Sequence, residues 1–157
     1  MKEHTYKSTV EWTGNTGKGT ENYNSYERSH SIAIANKPVI LGSSDAAFRG
    51  DPSKHNPEDL LISSLSTCHM LWYLHFCAVN NIIVESYRDN AEGIMMERES
   101  GKGKFKFVAL NPEVVVQSED MIELALELHH KANEYCFIAN SVNFPVEHNP
   151  RVCTKLP

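Results

Sequence analysis

The segment from Asn56 to Val79 constrains this chain more than any other. Asn56 is a favoured helix N-cap, Pro57 at the first helical position forfeits no intrahelical hydrogen bond, and Glu58 and Asp59 set negative charge against the positive end of the helix dipole. From Leu60 onward apolar residues occupy every side of the axis, as Leu61, Ile62, Leu65, Met70, Leu71, Trp72, Leu74 and Phe76 show. A helix apolar all round must be buried all round, and one layer of sheet covers only one side of it. The sequence therefore predicts a long buried helix whose remaining face a second copy covers, a homodimer.

The flanking segments read as strands and one further helix. Tyr6 to Trp12 alternates with the period of a strand, Tyr23 to Ala35 and Val39 to Leu41 continue the pattern, and turns fall at 13–20 and at Asn36-Lys37-Pro38. Ile82 to Glu97 and Lys104 to Gln117 read as two long strands joined in a hairpin around Ser100-Gly101-Lys102-Gly103. Ser118-Glu119-Asp120 caps a second, amphipathic helix to about Tyr135, with Met121, Leu124, Ala125, Leu128 and Ala132 in one stripe. The tail adds an edge strand near Val142 to Val146. Strands, helix, strands, helix in this order is an α+β fold with largely antiparallel sheets, expected as a single domain over residues 1–157.

Composition narrows the function. The chain is 41% hydrophobic and 22% charged, as expected of a folded globular protein, and its net charge of −5 leaves no basic excess for phosphate backbones or anionic lipid. Neither nucleic acid nor a membrane is an expected partner. Residues 1–7 contain no apolar targeting core, so the expectation is a cytoplasmic protein whose four cysteines are reduced. Any disulfide among them is then transient and chemical in purpose.

Cys68 lies mid-helix, flanked by Leu65 and Leu71 with Ser64 one turn before it, and taken alone reads as a structural cysteine. Cys77 is roughly 13–14 Å further along the axis and on the opposite face, too far for a disulfide within one helix, and reads as core. A partner for Cys68 is therefore Cys136 or Cys153. Cys136 closes the second helix and is the better placed, whereas Cys153 falls in a tail expected to be mobile.

These residues carry a resemblance. Asn56-Pro57-Glu58-Asp59-Leu60-Leu61 followed by Cys68, with Cys136-Phe137-Ile138-Ala139-Asn140-Ser141 later, resembles the osmotically induced protein C (OsmC) and organic hydroperoxide resistance (Ohr) family of thiol peroxidases over almost the whole chain. The resemblance implies an OsmC-like intertwined homodimer that reduces organic hydroperoxides. Cys68 would become a sulfenic acid, Cys136 would condense with it to a disulfide, and a dithiol or lipoylated protein reductant would reset the pair. It also implies an arginine held by Glu58 to stabilise the thiolate. Arg49, one residue off the family's loop spacing, is the first candidate and Arg28 the second.

Trp72, Leu71, Ser64 and His75 are the candidate substrate-binding residues, with Met70, Tyr73 and Phe76 further candidates to line an apolar pocket. His75 stands nearly two turns beyond Cys68 on the same side, suited to proton handling or substrate lining. No histidine pair has metal-site spacing. His69 and His75 point about 120° apart and His129-His130 are adjacent, so these read as structural or surface residues, with no metal and no cofactor expected. Residues 14–20 superficially match a phosphate-binding loop, but Trp12 replaces its first glycine and Gly19 its Ser or Thr, which leaves a hairpin turn. The serines around Cys68 have no Asp-His partners in view. The alternative to a peroxidase is a non-enzymatic dimeric module that binds a small apolar ligand, with Cys68 a buried structural thiol.

Overall fold

The computed structural model describes residues 2–155, which fall into two compact units divided between Leu61 and Ile62. In the first, strands β1 (Thr9–Trp12), β2 (His30–Ala33) and β3 (Ile40–Gly42) form an antiparallel sheet in the order β1-β2-β3. Of the expected strand from Tyr23 to Ala35 only His30–Ala33 forms a strand, preceded by an isolated bridge between Tyr26 and Asn15. The Asn22 N–H donates to Ser25 Oγ at 3.0 Å and the Asn24 N–H to Asn22 Oδ1 at 2.9 Å, which turns the chain before the strand begins. In the β1–β2 connection the N–H groups of Gly17 and Gly19 both donate to Asn15 Oδ1, at 2.9 and 3.0 Å, so they serve the turn and not a phosphate.

A loop with one 3-10 turn, Ala46–Phe48, leads to helix α1, Pro57–Val79. Its cap is reciprocal. The Asp59 N–H donates to Asn56 Oδ1 at 2.7 Å and the Asn56 N–H to Asp59 Oδ2 at 3.2 Å, a capping box with aspartate in the place of glutamate.

The second unit contains the rest of α1, strands β4 (Val84–Asp89), β5 (Glu92–Glu97), β6 (Gly103–Leu110) and β7 (Pro112–Val116), helix α2 (Ile122–Tyr135), and strands β8 (Val146–His148) and β9 (Arg151–Thr154). They form two three-stranded sheets, β4-β7-β9 and β5-β6-β8. The two long strands expected of the sequence are each broken in the middle. Asp89 is the cause: its Oδ1 accepts the Asn111 N–H at 2.7 Å, its Oδ2 accepts the Ser66 hydroxyl of α1 at 2.5 Å, and Pro112 has no N–H to continue a ladder. The tail corrects a further expectation, since it provides two strands, β8 parallel to β6 and β9 parallel to β7.

The core of this unit gathers Tyr73, Phe76 and Cys77 of α1 against Val114, Val116, Ala125, Leu128 and Ala132. Met121, Ala125, Leu128 and Ala132 of the stripe expected on α2 pack, while Leu124 is exposed; Ser118 makes no side-chain cap and a 3-10 turn, Glu119–Met121, opens the helix instead. Burial of α1 is less complete than its composition implies. Ser63, Thr67, Leu71, His75 and Val79 form an exposed stripe at four-residue spacing, with Leu71 62% exposed. Among the described residues no helix is long and apolar enough to cross a membrane.

Candidate functional site

Cys136 is the C-cap of α2, where the backbone leaves the helix with φ −67° and ψ 106°. That exit turns the thiol inward, and Cys136 is 1% exposed. There it neighbours the half-buried Cys68 of α1, and both are free thiols. The Ala139 N–H donates to Cys136 Sγ at 3.4 Å and holds the sulfur in place. Burial, followed by the neighbouring Cys68, pushes the Cys136 thiol up to about 11. The proton therefore stays on Cys136 at neutral pH.

Aromatic rings gather beside the thiols. Trp72, one turn beyond Cys68, packs against Tyr135 and Phe137, which flank Cys136, at centroid distances of 5.3 and 5.6 Å. His75 meets the Trp72 ring edge-on at 5.8 Å. Leu71, Trp72 and His75 line an open cavity of about 310 Å3. Tyr73 and Phe76 lie in the core instead, and Ser64 is half-buried one turn before Cys68. Sequence reasoning missed Tyr135 and Phe137; their signal was adjacency to Cys136.

Cys77 is core, and burial raises its thiol. Cys153 sits in β9, an ordered exposed strand and not a mobile tail.

The first unit holds the other candidates. Glu58 is half-buried in the first turn of α1. The Arg28 guanidinium donates from Nη1 to Tyr26 O at 2.7 Å and from Nη2 to Tyr23 O at 2.8 Å, and lies over both tyrosine rings at 4.3 and 4.2 Å. Arg49 is exposed, with a left-handed φ of 64°. Among the described residues neither arginine is ion-paired with Glu58.

His69 follows Cys68 in sequence but points into the core, where its Nε2 lies 2.9 Å from His129 Nδ1. Outside this pair, His148 Nε2 lies 3.1 Å from His130 Nδ1. Burial, then the neighbouring His148, lowers His69 to about 4, and burial, then His69, lowers His129 to about 3. Both imidazoles are thus neutral at pH 7, and neither supplies a positive charge to a thiolate. Sequence spacing within single helices did not reveal these histidines meeting across elements. Among the described residues no group of His, Cys, Asp and Glu could hold a metal ion.

A family model for OsmC-like proteins matches residues 50–150, a span that contains Glu58, Cys68 and Cys136. The chain belongs to the OsmC-like family. Arg28, Arg49 and Cys153 of this OsmC-like protein fall outside the matched span. An OsmC-like protein of unknown function from Vibrio cholerae is 32% identical, with a TM-score of 0.84 over 95% of this chain and 100% of that one. An organic hydroperoxide resistance protein from Elizabethkingia anophelis shares the fold at 18% identity and a TM-score of 0.70, over 98% of this chain and 99% of that one. OhrB of Bacillus subtilis, also an organic hydroperoxide resistance protein, does so at 19% identity and a TM-score of 0.61, over 96% and 98% of the two chains. Comparison with curated proteins gave no match.

Proposed function

We propose that this OsmC-like protein is a cysteine-based peroxidase that reduces organic hydroperoxides to alcohols, working as a cytoplasmic homodimer. The observation that carries the reading is the contact between Cys68 and Cys136, a half-buried thiol on α1 with a buried, protonated thiol beside it. Membership of a family that includes organic hydroperoxide resistance proteins supports it.

The Cys68 thiolate attacks the terminal oxygen of ROOH, the O–O bond breaks, and the alkoxide leaves and takes a proton to become the alcohol. Cys68 is then a sulfenic acid. The Cys136 sulfur attacks the Cys68 sulfur, its proton leaves with the hydroxyl as water, and a disulfide forms. Two electrons from a dithiol, either a small molecule or a lipoylated protein, restore both thiols. Leu71, Trp72 and His75 present an apolar surface suited to an alkyl or aryl group, with Ser64 a further contact on the same helix. Glu58 with Arg49 or Arg28 is the charge pair proposed to favour the thiolate. The exposed stripe of α1 that carries Leu71 and Val79 is proposed as the surface that the second subunit covers.

The test is intact-mass spectrometry of the reduced protein after one equivalent of cumene hydroperoxide, with peptide mapping. A loss of two hydrogens mapped to Cys68 and Cys136 is expected. An unchanged mass with the hydroperoxide unconsumed removes the peroxidase reading and turns attention to ligand binding at the Leu71–Trp72–His75 cavity.

A further inference from the structure

The solvent face of the β4-β7-β9 sheet carries a second thiol-bearing site, built from two neighbouring rows of side chains. Strand register places Ser86, Val115 and Cys153 in one row and Arg88, Glu113 and Arg151 in the next. Arg88, Glu113, Arg151 and Cys153 are all exposed, while the alternating residues Tyr87, Val114 and Val152 turn toward the core. The two rows line a cavity of about 370 Å3. A second cavity, of about 300 Å3, shares Glu113 and Arg151 and runs on to Asn90, Asn111 and Asn149. The two adjoin at Glu113 and Arg151, with a thiol, two cations and an anion in the first and three asparagines in the second, where Asn149 Nδ2 donates to Asn111 Oδ1 and Asn111 Nδ2 to Asn90 O. Among the described residues neither guanidinium is engaged in an ion pair.

We propose that this groove binds a small zwitterionic thiol peptide of the glutathione class and that Cys153 forms a reversible mixed disulfide with it. Two guanidiniums match two carboxylates, Glu113 matches one ammonium, and the asparagine amides suit peptide groups. The chemistry is thiol–disulfide exchange. The Cys153 sulfur attacks one sulfur of the oxidised peptide disulfide, the peptide S–S bond breaks as the mixed disulfide forms, and the second peptide leaves as a thiol carrying the proton that Cys153 gives up. A further peptide thiol reverses the step and regenerates the disulfide. Nothing in this exchange requires Cys68 or Cys136, so the site is independent of the peroxidase reading.

The test measures, by peptide mapping, the rate of mixed-disulfide formation at Cys153 of the whole protein with oxidised glutathione and, separately, with cystamine, a cationic disulfide. Glutathione is expected to label Cys153 at least several-fold faster than cystamine, and Arg88→Gln and Arg151→Gln to bring the two rates together. Raising the salt on unmodified protein should narrow the same ratio, since exposed charges are screened, which gives a readout free of any folding effect of the variants. Equal rates for the two disulfides, a ratio indifferent to salt and to both arginines, or no mixed disulfide at Cys153 would each overturn the proposal.

Discussion

The imidazoles of His69 and His129 lie within 8° of parallel, on different helices, with 2.9 Å between His69 Nε2 and His129 Nδ1. One ring donates and the other accepts, so the contact requires a neutral donor–acceptor arrangement. Both residues are fully buried, and among the described residues His69 Nδ1 and His129 Nε2 have no hydrogen-bond partner. A proton added to either ring would place an unpaired charge in the core.

This pair makes stability depend on pH in one direction. Folded-state values of about 4 and about 3 lie below the ordinary 6.5, so the unfolded chain takes up protons first as the pH falls. Their contribution is fully present above pH 6.5 and is lost as the pH drops from there toward 4. Thermal denaturation at pH 7.5 and pH 5 is expected to show a clear fall in Tm, with a loss on the order of a few kcal/mol between the limits. His129→Gln, which cannot take a proton in this range, should flatten that slope whatever its effect on stability at pH 7.5.

The thiol pair predicts distinct stoichiometries. Cys68→Ser is expected to abolish hydroperoxide consumption. Cys136→Ser should consume about one equivalent per site and then stop with a sulfenic acid that dimedone traps. Sustained turnover by Cys136→Ser would remove Cys136 from the cycle and bring Cys153 forward.

Trp72 and Phe137 should govern large substrates more than small ones. Replacing either by alanine removes ring surface worth roughly 1–2 kcal/mol of apolar contact, so kcat/KM for cumene hydroperoxide is expected to fall about tenfold. The value for tert-butyl hydroperoxide should change less. Equal losses for both substrates would mean that the rings support the thiols and not the substrate.

The exposed stripe on α1 predicts the oligomeric state. Sedimentation or light scattering is expected to give twice the chain mass for the native protein. Leu71→Glu, a charge in the middle of that stripe, should shift it to the chain mass. A native chain that stays monomeric at micromolar concentration would contradict the dimer.

Asp89 is the structural analogue of a hinge pin. Asp89→Ala would leave the Asn111 N–H and the Ser66 hydroxyl unpaired at the break between the sheets. A loss of about 2–4 kcal/mol in urea denaturation is expected, at the larger end for charge-assisted bonds.

What could be read from the sequence was what is decided locally. Asn56, Pro57 and Asp59 fix the start of α1 within a single turn, so Pro57–Val79 was visible in the chain itself. Cys136 was favoured over Cys153 as the partner of Cys68 because a helix end is an ordered position that can pack against α1. The breaks at Asn90 and Asn111 were not legible, since they depend on an Asp89 contact reached only after the sheet has formed. The His69–His129 pair lay hidden for the same reason, being sixty residues apart in sequence. The same dependence on tertiary partners hid the pairing of β8 and β9, whose neighbours are chosen by packing and not by pattern.

The unequal exposure of the two sulfurs, one half-buried and the other 1% exposed, also gives the pair a handedness toward anything that approaches it. A bulky alkylating reagent reaches Cys68 first, and a reductant meeting the closed disulfide must strike the Cys68 sulfur and expel Cys136. Burial makes Cys136 a weak acid and therefore a poor leaving group.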